Sequence, residues 1–313
     1  MKALKKSVKK EQNISQKKAG KKRRIGKNMK KRKFISGLYI TPSFLGVMLF
    51  FILPFLVVIY YSMIDNPISG DFVFFQNFVN VFKNAAFKRA AMNTLTFSAV
   101  AVPLAVVLSL LLAVMLDNKI PFRSQFRTFF LSPMMVPVAS IVLIWQVLFH
   151  YNGAVNDVVV ALGGGKIDWM KSAYSQIVIV ILFLWKNLGY NMILFMAALA
   201  SIPKDILEVA KLESATPMQT FLHIKLRYLS STLLFVTIMS LINSFKVFRE
   251  IYLLTGSRPY DTLYMLQHFM NNMFVSLDYQ KLSAAAILMS LAMIVIIGIL
   301  FIVENHFGKD VEG

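Results

Sequence analysis

The sequence contains no cysteine and only four histidines, His150, His223, His268 and His306. Without cysteine there is no disulfide framework, no Cys-containing zinc site, no iron–sulfur cluster and no thiol nucleophile. No two histidines lie at metal-ligand spacing, so a metalloenzyme is not expected. Acids are scarce as well: 15 Asp and Glu stand against 34 Lys and Arg, for a formal charge of +19. Most of that imbalance is local. Residues 1–33 hold 16 of the bases and a single acid, Glu11, whereas the remaining 280 residues carry 18 bases and 14 acids. The body behind the tail is thus nearly neutral. With 57% hydrophobic residues the chain is also more apolar than a soluble domain, for which about 45–50% is usual.

Long apolar runs account for the excess. A helix needs roughly 20 apolar residues to cross about 30 Å of hydrocarbon. Six segments meet that length: 38–64, 93–116, 129–149, 177–200, 229–248 and 282–303. The second, third and sixth contain no charged residue. Lipid offers no partner to an exposed backbone amide, so such segments are read as helices. The expected fold class is all-α, a polytopic membrane protein with six transmembrane helices within residues 36–308. A basic tail, 1–35, expected to be disordered, precedes this domain, and a short tail, 309–313, follows it. The first apolar run far exceeds the roughly 7–15 residues of a signal-peptide core, and reads as a retained span.

Lys and Arg in short flanks favour the cytoplasm. Six spans put both termini on one side, and the tail places them inside. Beyond the tail, the loops on the two sides carry eight bases each, so the tail supplies the orientation. Its runs KKSVKK, KKAGKKRR and KNMKKRK read as a segment held near anionic membrane lipid. No aromatic residue precedes Phe34 to stack on bases, so no nucleic acid is expected as a partner.

The inside loop 201–228 is long and amphipathic. Asp205 and Glu208 have capping-box spacing, which starts a first helix at about Ile206 and carries it to Glu213. Thr216-Pro217 reads as an N-cap followed by proline at the first helical position. The second helix then directs Phe221, Ile224 and Leu226 towards the fifth span. Two short helices with a break make a compact docking element.

Within that loop Glu208-Val209-Ala210, with Pro217, Phe221 and Ile224 downstream, resembles the EAA loop of membrane subunits in binding-protein-dependent ABC importers. Val209 replaces the first alanine of the family pattern, Ser214 stands at its glycine and Arg227 at its later proline. The stretch Phe78 to Phe97, with Asn93-Thr94, is similar to the family's lead-in to the second span. Arg127-Thr128, Pro133, Pro137, Trp145 and Gly153-Ala154-Val155-Asn156 are similar to its third span and outer loop. Trp185, Gly189, Ile202-Pro203 and Leu253-Leu254-Thr255-Gly256 with Pro259 continue the likeness, although Ser257-Arg258 occupy the place of a Gly-Gly pair. The resemblance covers about residues 38–305 and is closest to the carbohydrate-uptake, maltose and multiple-sugar branch.

That resemblance implies the permease fold of a type I ABC importer and no covalent chemistry in this chain. It implies half of a heterodimeric pathway for a sugar or oligosaccharide. The partners would be a second homologous permease, two ATPase subunits and an extracytoplasmic solute-binding protein, in the cell membrane. No cofactor is expected on this chain, ATP and Mg being held by the ATPase subunits. Gly163-Gly164-Gly165-Lys166 lacks the spacing of a phosphate-binding loop and reads as a turn. Glu208, Val209, Ala210, Glu213, Ser214, Pro217 and Phe221 would couple to the ATPase. Glu208 would pair with a basic residue there, or else close the capping box with Asp205.

Polar and aromatic groups within spans are costly in lipid and normally face a cavity or a partner. The candidates for a substrate path are Trp145 and Gln146 in the third span and Trp185, Lys186, Asn187, Tyr190 and Asn191 in the fourth. Asn243 and Lys246 add to them from the fifth. Hydrogen-bonding groups beside aromatic faces suit a sugar. The other reading is that these groups bond helix to helix, or that the two lysines snorkel to the surface. Alternatives at the level of function are a permease for glycerol phosphate, a polyamine or an amino acid, an ATPase-independent channel, or an intramembrane enzyme.

Overall fold

The structure is a computed structural model and describes residues 39–117 and 121–308. The basic tail 1–35, Lys119 and the segment 309–313 lie outside the described residues. Among the described residues there is no strand, only one isolated bridge between Ile64 and Phe72. The chain divides into two units, Met1–Tyr60 and Tyr61–Gly313.

The first apolar run forms α1, Tyr39–Met63. It widens into a π-turn at Met48–Ile52, directly ahead of Pro54, which brings no N–H to the helical ladder. The second unit starts with a short helix, α2 (Gln76–Lys83), and then α3 (Ala85–Asp117). Helix α3 runs for 33 residues and keeps Ala90, Ala101, Ala105 and Ala113 fully buried. Small side chains at helical spacing let a neighbouring backbone approach closely, the usual basis of helix association in lipid. Phe97, Ala101 and Ala105 pack on Ile179 and Phe183 of α7 (Ser175–Ala200), with the two phenyl rings edge to face at 5.6 Å. Val102, Val106 and Leu110 continue the same seam against Met192, Phe195 and Met196.

Between α3 and α7 lie α4 (Arg123–Met135), α5 (Val138–Leu148) and α6 (Ala154–Ala161). The sequence predicts one continuous span over 129–149. The structure instead places α4 and α5 at 102° to each other. The cause is Pro137: it disfavours helical backbone in the residue before it, and Val136 is extended, with φ −87° and ψ 131°. Five helical segments of spanning length therefore accompany one bent pair among the described residues.

Next come α8 (Lys204–Leu212) and α9 (Pro217–Thr220), followed by a π-turn at Phe221–Lys225 and a last turn at Leu226–Tyr228. The fifth span is α10 (Ser230–Phe245), a two-residue break at Lys246 and Val247, and α11 (Phe248–Thr255). It thus extends beyond the expected end at residue 248. A short helix, α12 (Leu266–Val275), leads to the final span, α13 (Tyr279–Gly308).

Gly189 marks the tightest crossing. A Cβ there would overlap the backbone carbonyl of Phe130 and stand 3.0 Å from the amide nitrogen of Leu131, so α4 lies directly on α7 at this point. Gly189→Ala is expected to push α4 away and to cost about 3 kcal/mol, the upper end for overpacking, because backbone rather than a side chain must yield. Thermal unfolding in detergent measures this. Gly298→Ala, at a position with nothing within 4 Å, should leave the transition in place.

Candidate translocation cavity and coupling loop

Near the middle of α7 the bend between α4 and α5 and the break between α10 and α11 face each other across a cavity of about 800 Å³. Helical spacing brings Lys186, Asn187 and Tyr190 to one side of α7, and all three line the cavity. Asn243 and Lys246 line it from the fifth span, joined by Arg249 and Glu250 of α11 and Gln267 of α12.

A seam of polar contacts holds α7 to the fifth span beside this space. Asn191 Nδ2 donates to Ser240 Oγ at 2.9 Å, and Asn243 Nδ2 donates to Asn187 Oδ1 at 2.9 Å. Asn187 Nδ2 donates in turn to the Phe183 carbonyl at 2.8 Å. The Ser98 and Ser244 hydroxyls are 2.8 Å apart and tie in α3. At the cavity wall the Lys186 ammonium pairs with the Glu250 carboxylate; their side chains are 25% and 8% exposed. Lys186 therefore has an internal counter-ion and does not snorkel. Lys246 and Arg249 are exposed and make no ion pair or side-chain hydrogen bond among the described residues.

The other sequence candidates lie elsewhere. Asn191 is 1% exposed and only bonds helix to helix. Trp145 is buried, stacked on Phe149 at 5.0 Å, with Trp185 at 6.3 Å. Neither tryptophan borders the cavity. Gln146 Nε2 donates to the carbonyls of Leu253 and Leu254 at 3.3 Å each and so ties α5 to the end of α11. Glu250 and Arg249 escaped the sequence reading because they were placed beyond the end of the fifth span. A lysine within a span calls for a nearby acid, and Glu250 is the only acid between Glu213 and Asp261.

Just outside the spans, His268 of α12 is buried against Phe248, with ring centroids 4.6 Å apart. Its Nδ1 accepts from the Met265 amide at 3.3 Å, and burial pushes its pKa down to about 4. The ring is neutral at physiological pH and adds no charge near the cavity. Among the described residues no cluster of three or more His, Asp or Glu is placed to hold a metal ion.

The loop after α7 is a second site. Helix α8 starts after Pro203, which holds the N-cap position with φ −58°, so it begins two residues ahead of the expected Ile206. Asp205 consequently lies in the first turn and makes no capping bond, and the capping box expected with Glu208 does not form. The Glu208 carboxylate is exposed and has no hydrogen bond or ion pair among the described residues. Helix α8 ends with Ser214 in the left-handed region, φ +58°. The Ser214 amide donates to Lys211 O at 3.1 Å and the Ala215 amide to Ala210 O at 2.9 Å, which is the Schellman arrangement. The second helix begins as read from the sequence, with Thr216 as N-cap and Pro217 in its first turn. Gln219 completes a capping box that the sequence reading did not identify, the Gln219 amide donating to Thr216 Oγ1 at 3.3 Å and the Thr216 amide to Gln219 Oε1 at 2.8 Å.

A groove of about 650 Å³ separates the two arms of this loop, lined by Asp205, Val209, Glu213, Ser214, Gln219 and His223 among others. Glu208, Val209, Glu213, Ser214 and Pro217 are exposed, whereas Ala210 is buried and Phe221 turns inward. Leu207, Phe221 and Leu226 pack on the main core, and Lys225 Nζ meets Asp117 Oδ2 of α3 at 3.2 Å. The loop is thus fixed to the helices behind it and presents its acidic rim outward.

The chain belongs to the family described as binding-protein-dependent transport system inner membrane component, whose profile matches residues 105–313. It is a transport subunit and not an enzyme. It is similar to the lactose transport system permease protein LacF of Rhizobium radiobacter, 29% identical over 69% of this chain and 74% of that protein. The trehalose/maltose transport system permease protein MalF of Thermococcus litoralis is 28% identical over 87% of this chain and 94% of its own. The sn-glycerol-3-phosphate transport system permease protein UgpA of Yersinia enterocolitica is 27% identical over 82% and 89%. Among solved structures, a bacterial ABC transporter involved in alginate import has the same fold, with a TM-score of 0.76 at 21% identity over 90% of this chain and 98% of its own. A related crystal structure holds the alginate transporter in complex with its pentasaccharide-bound periplasmic protein.

Two outcomes follow from this geometry. Lys186→Met leaves Glu250 buried without its counter-ion and is expected to destabilise the protein by about 3–5 kcal/mol, whereas Lys186→Met with Glu250→Leu recovers most of the loss. Thermal unfolding of the three proteins reads the difference. Ser214→Gly removes the cost of left-handed backbone, about 1 kcal/mol, whereas Ser214→Val raises it. Limited proteolysis of the loop should slow in the first variant and accelerate in the second.

Proposed function

We propose that this chain is the permease subunit of an ATP-driven ABC importer for a sugar or oligosaccharide, one half of a heterodimeric pathway. A second, related permease forms the other half, and an extracytoplasmic binding protein delivers the solute. Two ATPase subunits hold ATP and Mg and dock on the loop at 201–228. Residues 36–308 form the permease domain. Both termini are cytoplasmic, and the 1–35 tail lies along anionic lipid.

The observation that carries this reading is the loop's construction. It is anchored through Phe221, Leu226 and Lys225 while Glu208, Val209 and Glu213 stay exposed around a groove. A docking lever needs that combination: a fixed inner face and an unpaired, charged outer one. After the π-turn and the turn at Leu226–Tyr228 the chain enters α10, so force on the loop reaches the cavity wall through one helix. The names of relatives that move lactose or trehalose and maltose favour a carbohydrate. Amides of Asn187 and Asn243 beside the rings of Tyr190 and Tyr252 suit hydroxyl-rich solutes.

Glu208→Ala is expected to lower uptake of the transported sugar at least tenfold and to abolish stimulation of ATP hydrolysis by the loaded binding protein, with the amount of permease in the membrane unchanged. Uptake at the unaltered rate would overturn the lever assignment.

A further inference from the structure

The charge in the cavity is not balanced. Its lining holds three bases, Lys186, Lys246 and Arg249, against one acid, Glu250, and that acid is committed to Lys186. Two cationic side chains are left over, separated by one helical turn at the break in the fifth span, so they share a side. Structural needs explain one of them at most. Lys246 caps the C-terminal end of α10, where the helix dipole favours a cation. Arg249 is in the first turn of α11, the end at which the dipole opposes a cation, and no acid pairs with it. Ionisable groups within spans are expensive and belong to pathways or pairs; Arg249 has no pair among the described residues. Its planar guanidinium offers two parallel N–H donors, which match a carboxylate or a phosphate.

We propose that Lys246 and Arg249 select a carbohydrate bearing an anionic group, a carboxylate or a phosphate, and contact that group in the cavity. The rest of the lining fits the remainder of such a solute: Asn187, Asn243 and Gln267 for hydroxyls, Tyr190 and Tyr252 for ring faces. The two cations also draw an anion inwards, since charge of one sign in a low-dielectric cleft raises the local concentration of its counter-ion. This inference rests on the reading of the chain as a carbohydrate permease.

The test is uptake by cells carrying the complete transporter, with three kinds of labelled probe: neutral oligosaccharides, oligosaccharides containing uronic acid, and sugar phosphates. Uptake of a charged probe is expected, and the responding class tells carboxylate from phosphate. Lys246→Gln with Arg249→Gln should reduce the initial rate at least tenfold, and the charge-keeping exchange Lys246→Arg with Arg249→Lys should retain most of it. Uptake of neutral probes alone overturns the inference and leaves the carbohydrate reading standing. An equal loss in the charge-keeping pair also overturns it, because packing and not charge would then be at issue. Uptake of no probe in any class removes the carbohydrate reading itself.

Discussion

A hydrocarbon solvent leaves polar groups to find one another, and the seam between α7 and the fifth span is where this chain meets that demand. Asn191 with Ser240, Asn187 with Asn243 and Lys186 with Glu250 form successive rungs between two helices. Each rung satisfies groups that lipid would leave bare, and together they fix the rotation of both helices. The apolar seam between α3 and α7 contributes close approach through its alanines. With the polar rungs in register, the α10–α11 break is held opposite the bend in the third span, and the cavity opens between them.

The same seam joins the two sites. Helix α10 starts at the end of the 201–228 loop and finishes at Phe245, next to Lys246, a rod of 16 residues, or roughly 24 Å. A helix of that length transmits displacement without bending much, and its two ends are the loop that offers Glu208 and the wall that offers Lys246. The ion pair of Lys225 with Asp117 links the loop to α3 as well, and α3 packs on both α7 and α10.

Much of this was legible from residue order alone. Hydropathy located the spans, because the energetic contrast between lipid and water is large compared with any local preference. Thr216-Pro217 announced a helix start, since both residue types have few other uses in that order. The third span was read as straight although Pro133 and Pro137 stood in plain view, because proline is tolerated within spans and its effect depends on what receives the freed backbone groups. Asp205 had the spacing of a cap but lost that position to Pro203, whose fixed φ already sets the helix start. Glu250 was hidden by a span boundary drawn two residues too early to include it as a partner for Lys186. The pairing of side chains between helices is a tertiary fact that periodicity within one helix does not carry.

Helix α3 has a consequence for the membrane around it. Between Arg89 and Asp117 it carries no charge, a stretch of roughly 40 Å against a hydrocarbon slab of about 30 Å. A helix with that surplus absorbs a change of bilayer thickness by tilting. Helices α7, α10 and α12 pack on it, and Thr94 and Asn93 bond to the backbone of Leu266, Asp261 and Tyr264. Tilt of α3 is therefore not a private motion: lipid composition acts on the helices that wall the cavity through the angle of this one helix.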